Sequence, residues 1–357
     1  MTNDIRRIYP RPVPCPIGHP GARPLAGGLF GFAMVELLRR GAAPEVLPID
    51  AAVALYPDEI DTFRRLSQPC APLAGLDLSS PKVMGVVNVT PDSFSDGGLL
   101  EDARAAVAHG LGLAEAGADI LDIGGESTRP GAQPVPIEEE LTRVMPVIEG
   151  LIDAGCEVPI SIDTRKAKVA EAAIAAGAVL FNDVSALTYD RASAEAAARA
   201  PALCLMHAQG DPRTMQENPQ YGDVLLDVYD FLELRIAAAE AEGVAPGRIV
   251  IDPGIGFGKT LDHNLALIRR LSLFHGLGCP ILLGVSRKRF IGTLSGADQA
   301  RERVHGSIAA GLAGLDQGAQ ILRVHDVAET RQAIDVWRAI VREGKMDRVR
   351  ELNEATQ

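Results

Sequence analysis

From about Pro81 onward the chain repeats one pattern, a short apolar run followed by a longer amphipathic stretch. The runs are Val83–Val87, Ile120–Ile123, Pro159–Ile162, Val179–Phe181, Ala202–Met206, Ile249–Ile251, Pro280–Val285 and Gln320–Val324. Each is mostly Val, Ile or Leu, as expected of strands covered on both sides in a parallel sheet. Parallel neighbours need crossover connections of helix length. The intervening segments supply them: Val169, Ala172, Ala173 and Ala176 fall on one helical stripe, and Ile334, Trp337 and Val341 on another. Eight such units predict an α/β fold, a (β/α)8 TIM barrel. An open doubly wound sheet remains an alternative here, because periodicity does not report closure.

Residues 1–80 stand outside this alternation and read as an N-terminal extension whose role the sequence does not disclose. Pro and Gly are dense from Pro10 to Gly31, and short helices are predicted at Phe32–Arg40 and Pro57–Leu66. The barrel then occupies 81–345, and 346–357 form a charged C-terminal tail. With 357 residues, of which 47% are hydrophobic, the chain can bury one large core. No run approaches the roughly 20 apolar residues of a membrane span, and no apolar segment follows the N-terminal arginines. A soluble, cytoplasmic protein is expected. The five cysteines (Cys15, Cys70, Cys156, Cys204, Cys279) are scattered and never spaced as C-x-x-C, which argues against a zinc site or a disulfide framework. A net charge of −12 disfavours nucleic acid and anionic membranes as partners. An anionic substrate would have to be captured by a local positive cluster.

Such a cluster is written at the strand ends. In a barrel of this kind chemistry sits where strands hand over to the following loops. Nearly every predicted strand ends in a polar group: Asn88, Asp122, Asp163, Asn182 with Asp183, His207, Asp252, Ser286 to Lys288, and Arg323 with His325. A single Asp or Asn there could merely cap a helix or form a turn, but capping calls for no Lys or Arg. Arg323 and His325, two apart on a strand, share a face and can aim at one anion. Asp326 is expected to cap the last helix, with Glu329 three residues on. Two loops are polar and glycine-rich, Asn88–Gly98 and Gly124–Ala132, and are expected to close over a substrate. Gly258-Lys259-Thr260 looks like the end of a phosphate-binding P-loop, but the first glycine of that motif would fall at Pro253, so the P-loop is rejected. The glycines of 254–258 instead let a flat ligand approach the backbone closely.

Taken together, Asn88-Val-Thr-Pro-Asp-Ser-Phe-Ser-Asp-Gly-Gly, Gly125-Glu-Ser-Thr-Arg-Pro-Gly, Leu205-Met-His-Ala-Gln-Gly, Asp252-Pro-Gly-Ile-Gly-Phe-Gly-Lys, Ser286-Arg-Lys and Arg323-Val-His-Asp resemble the dihydropteroate synthases. The resemblance runs from about Lys82 to Arg342 and leaves the first 80 residues outside. One departure is Ala208, where the family usually carries a second Met. The resemblance implies a homodimeric barrel that joins 6-hydroxymethyl-7,8-dihydropterin diphosphate to p-aminobenzoate and releases pyrophosphate, with Mg2+. Carried over by motif, Asp163, Asn182, Asp252 and Lys288 would bind the pterin, and Asp163, Asp252 and Lys288 would form the catalytic group. Asn88 would contact the metal, and Arg323 and His325 the diphosphate. Phe257, Arg129, Pro130 and Lys288 would surround p-aminobenzoate. Thr128, Met206, Gly256 and Ser286 complete the expected substrate contacts. Carboxylates and an amide suit a heterocycle rich in N–H donors, whose unpaired edges would be costly to bury.

Two other readings compete. A methyltetrahydrofolate:corrinoid methyltransferase-like barrel would share Asp163, Asn182 and Asp252 but has no diphosphate to bind. It would not need Arg129, Lys288, Arg323 and His325. An inactive pterin-binding paralogue would have lost a residue of the chemistry, and none is missing.

Overall fold

A computed structural model describes residues 7–89, 99–127, 132–210 and 214–341. The extension opens with four antiparallel strands, β1 (Tyr9–Pro16), β2 (Arg23–Pro24), β3 (Phe30–Leu38) and β4 (Glu45–Pro48), with β3 paired to the other three. Helices Ile49–Leu55 and Ile60–Ser67 follow. The second matches the helix predicted at Pro57–Leu66, but the one predicted at Phe32–Arg40 is instead strand β3. Ala, Met, Glu and Leu there favour a helix locally, yet tertiary pairing overrides them. Prolines at 10, 12, 14 and 16 hold β1 extended and confine it to the sheet edge. Its inner side pairs with β3 from Tyr9↔Leu38 to Pro16↔Phe30.

All eight predicted barrel strands form: β5 (Lys82–Asn88), β6 (Ile120–Gly124), β7 (Ile160–Asp163), β8 (Leu180–Asp183), β9 (Ala202–Met206), β10 (Ile249–Asp252), β11 (Leu282–Leu283) and β12 (Ile321–Val324). They pair in parallel in the order β10-β9-β8-β7-β6-β5-β12-β11. The two ends of that row meet at a parallel bridge between Ile251 and Ile281, where Ile251 N–H donates to Pro280 O at 3.0 Å. The sheet therefore closes into a barrel, which removes the open-sheet alternative.

Side chains two apart on a strand share a face, and the inward faces change character along the barrel axis. The lower interior is apolar: Met84, Ile120, Leu180, Ala202, Val250 and Ile321, with Leu73 and Leu78 of the extension packed among them. One step toward the strand ends, the polar side chains of Asp122, Asp163, Asn182, Asp252 and Arg323 follow. The last residues of the extension thus stopper the barrel floor. Its earlier part has a core of its own around Phe32, Val35, Leu37, Phe63 and Leu66. That part is tied to helix Val224–Ala241 of the barrel by Tyr9 to Asp230 (2.9 Å) and by Arg40 to Asp227 and Asp230 (2.6 Å each). No helix among the described residues is long and apolar enough to cross a membrane.

Candidate active site

At the C-terminal mouth of the barrel lies a cavity of about 720 Å3, lined by Asn88, Asp163, Gly256, Phe257, Ser286, Lys288, Arg323 and His325 among others. Asn182, Met206 and Asp252 lie just beneath, each under 9% exposed. The strand register brings them side by side: Asp163 opposite Asn182, and Met206 opposite Asp252. Eleven of the fourteen expected site residues therefore gather at one place. Thr128, Arg129 and Pro130 lie outside the described residues, as do most of the two loops expected to close over a substrate.

The floor is a connected polar layer. Arg323 donates through Nε to Asp122 (2.5 Å) and through Nη2 to Asp163 (2.7 Å), and Asn182 Nδ2 donates to the same Asp122 oxygen at 3.1 Å. The guanidinium expected to face an anion thus spends part of its donors on two carboxylates inside the barrel. Asp122, noted as a strand end but given no role above, is the hub of this layer. Its other oxygen and Ser161 Oγ are buried with no hydrogen-bond partner among the described residues. Buried polar atoms of this kind are costly unless a ligand or water satisfies them. Burial, reinforced by Asp122 and opposed by Arg323, pushes Asp163 up to about 7. Burial likewise pushes Asp252 up to about 6, against the lowering by its hydrogen bond from Gly254 N–H at 2.7 Å.

The loop after β10 is held from all sides. Gly254 (φ +68°) lies so close to the end of β9 that a Cβ would stand 1.8 Å from His207 O, and Gly258 (φ +62°) would meet Gln209 O at 2.2 Å. Only glycine fits at either position. Asn264 Oδ1 accepts from Gly256 N–H (2.7 Å), Gln216 donates to Gly256 O (2.6 Å) and Tyr221 Oη to Gly258 O (2.7 Å). Lys259, the residue behind the P-loop likeness, turns inward to His207 Nδ1 (2.8 Å) and Phe257 O (3.1 Å). Burial, with Lys288 nearby, pulls its ammonium down to about 7 against the pull of Asp252. The result is a rigid ledge that presents Phe257, whose ring carries the Lys288 ammonium 4.1 Å from its centroid.

The opposite wall rests on a strained residue. Arg287 adopts φ +58°, a conformation that costs a non-glycine residue about 1 kcal/mol or more. Its N–H donates to Ser307 Oγ (2.8 Å), its carbonyl accepts from Arg303 (3.1 Å), and its guanidinium grips both carboxylate oxygens of Asp326 (2.5 and 3.0 Å). Asp326, predicted as a helix cap, therefore holds Arg287. This posture aims Ser286 and Lys288 at the cavity, and Ser286 Oγ meets His325 Nδ1 at 3.0 Å. Nothing in the sequence signals the strain. Beside the β6 loop, Glu126 accepts from Arg165 (2.5 and 3.0 Å) and from Lys166, which also reaches Glu140. The sequence does not signal this buried ion cluster, because consecutive Arg165-Lys166 looks like solvated surface. No group of three or more His, Cys, Asp or Glu able to hold a metal occurs among the described residues.

A family model described as pterin binding enzyme matches residues 84–325. The dihydropteroate synthase of Neisseria meningitidis serogroup B is 53% identical over 272 residues, covering 74% of this chain and 94% of its own. That of Escherichia coli K12 is 48% identical over 264 residues, covering 74% and 93%. Among solved structures, Xanthomonas albilineans dihydropteroate synthase with 4-aminobenzoic acid superposes with a TM-score of 0.72 at 51% identity, over 77% of this chain and 98% of that one. The Burkholderia cenocepacia enzyme complexed with 7,8-dihydropteroate gives 0.68 at 44% identity, over 76% and 96%. Sequence match and site geometry agree, and the chain belongs to the dihydropteroate synthase family of pterin-binding enzymes.

Proposed function

We propose a division of labour among these residues for the reaction of the family. The chain is a transferase that condenses 6-hydroxymethyl-7,8-dihydropterin diphosphate with p-aminobenzoate, giving 7,8-dihydropteroate and pyrophosphate in folate biosynthesis. The observation that carries the assignment of roles is the change from apolar to polar side chains one step below the mouth, where Asp122, Asp163, Asn182 and Asp252 converge beneath the cavity. Asp163, Asn182 and Asp252 read the N–H edge of the pterin, with Met206 packed beside it and Gly256 close along its face. As the C–O bond to the diphosphate breaks, the bonding pair leaves with pyrophosphate. The buried carboxylates then stabilise the positive charge that develops on the pterin methylene. Lys288, Ser286, Arg323 and His325 receive the anionic groups. Phe257, with Lys288 over its ring and with Thr128, Arg129 and Pro130 by motif, frames the arylamine whose nitrogen forms the new bond to the methylene carbon and gives up one proton to solvent.

Magnesium belongs to this proposal through Asn88, which ends β5 at the cavity wall. A single neutral oxygen fits an ion that arrives with the substrate phosphates and keeps its waters, as Mg2+ does. When bound, it would offset charge on the leaving group. We further propose that residues 1–80 contribute no catalytic group, since none of the described ones lines the cavity, and that the protein works as a cytoplasmic homodimer. The activity is tested by incubating the purified chain with both substrates and Mg2+ and scoring pyrophosphate and dihydropteroate together. Pyrophosphate release that does not depend on p-aminobenzoate would sink the synthase reading.

A further inference from the structure

Behind Phe257 lies a second chamber of about 240 Å3, which shares Phe257 and Met215 with the main cavity. Its far walls are Ala208, Val184, Phe231 and Tyr189. Three of the polar side chains that border it are engaged within the protein: Arg165 holds Glu126, Ser185 donates to Asp183 (2.6 Å) and Thr188 to Ser185 O (2.7 Å). A cavity of about 150 Å3 is enough to take a benzene ring, so this chamber has room for a small ring substituent. Its depth depends on Ala208, the one departure from the family pattern noted in the sequence. A longer side chain there would extend into it. Phe257 therefore borders this space as well as the main cavity, while its ring also carries the Lys288 ammonium.

We propose that this chamber is a recess of the arylamine subsite, that it admits p-aminobenzoates carrying a small apolar ring substituent, and that Ala208 sets its depth. The inference rests on the assignment of Phe257 to the arylamine. A methyl group that meets a fitted wall is discriminated by tenfold or more, whereas one that finds a preformed hollow is tolerated. With Arg165 ion-paired and the Ser185 and Thr188 hydroxyls donating within the protein, the recess favours methyl or chloro over charged substituents.

The test compares turnover of p-aminobenzoate, 4-amino-2-methylbenzoate and 4-amino-3-methylbenzoate by the full chain, Ala208→Met and Ala208→Val. The wild type should use at least one methyl derivative with kcat/KM within about tenfold of the parent. Ala208→Met should keep p-aminobenzoate turnover within about threefold and lower that methyl-to-parent ratio by about tenfold or more, with Ala208→Val between. A ratio unchanged in both variants overturns the recess, as does a wild type that uses p-aminobenzoate but neither derivative. Failure of the wild type on p-aminobenzoate itself overturns the activity reading and takes the recess with it.

Discussion

Asp252 and Asp163 show how far a barrel interior can move a carboxylate. Burial raises both, to about 6 and about 7. Between about pH 4, near the unfolded value, and pH 7 the native chain therefore holds more protons than the unfolded chain. The stability these groups contribute is fully present below the unfolded value and is lost as pH rises through the folded ones. Binding needs the opposite state, because only the carboxylates accept fully from pterin N–H groups. From pH 5 to 8 the thermal midpoint of the ligand-free protein should fall while kcat/KM for the pterin diphosphate rises. Parallel trends would exclude these two groups as the titrating pair. Asp252→Asn presents donors where acceptors are wanted, and should cost about 2–4 kcal/mol, or roughly 30- to 1000-fold in kcat/KM. A mutant within threefold of wild type would take Asp252 out of the site. For Arg323, its bonds to Asp122 and Asp163 mean that Arg323→Ala strands two neighbouring carboxylates. Calorimetry should show weaker binding of pterin ligands both with and without phosphates. Loss confined to the phosphorylated ligand would mean that Arg323 acts on the leaving group alone.

Among the elements, the segment from Cys70 to Leu78 does more than link two parts. Leu73 (1% exposed) and Leu78 (3%) sit among Met84, Ile120, Leu180 and Val250 at the barrel floor. They close an end that strand residues alone do not fill. Leu73→Ala should destabilise the chain by about 2–5 kcal/mol, the cost of a large-to-small change in a dry core. It lies at the end opposite the mouth, so kcat of the folded fraction should stay near wild type. Urea titration paired with steady-state kinetics checks both. A loss of kcat without a loss of stability would show that the floor couples to the site. The same reasoning explains why β3 is a strand. Its composition is that of a helix, and its conformation is set by a proline-rich neighbour whose partnership is visible only in three dimensions.

For the whole molecule, charge distribution is the feature with consequences. A chain of net charge −12 gathers Arg287, Lys288, Arg289, Arg303 and Arg323 around one cavity. Arg287 is held by Asp326, and Arg323 by Asp122 and Asp163, and the local concentration of cations at the mouth favours the approach of a multiply charged diphosphate. KM for the pterin diphosphate should rise with added salt, as screening shortens to about 8 Å near physiological ionic strength. KM for the singly charged p-aminobenzoate should rise less. Equal salt dependence for the two would mean that the cluster does not steer the diphosphate.

The sequence by itself determined the strands of the barrel, because doubly buried strands must be short apolar runs. It also determined the polar strand ends, because a (β/α)8 topology brings them to one mouth, and eleven expected site residues meet there. Tertiary structure decided what depends on contacts remote in the chain. The Ile251–Ile281 bridge closes the barrel, and Asp122 draws Arg323 away from solvent. Lys259 finds His207 from 52 positions away, and Asp326 is used to grip Arg287. Local spacing specifies which way a side chain points on its own element. Which charge it meets there depends on the closure of the barrel, since burial makes each unpaired group costly and forces it onto whatever partner the opposite strand supplies.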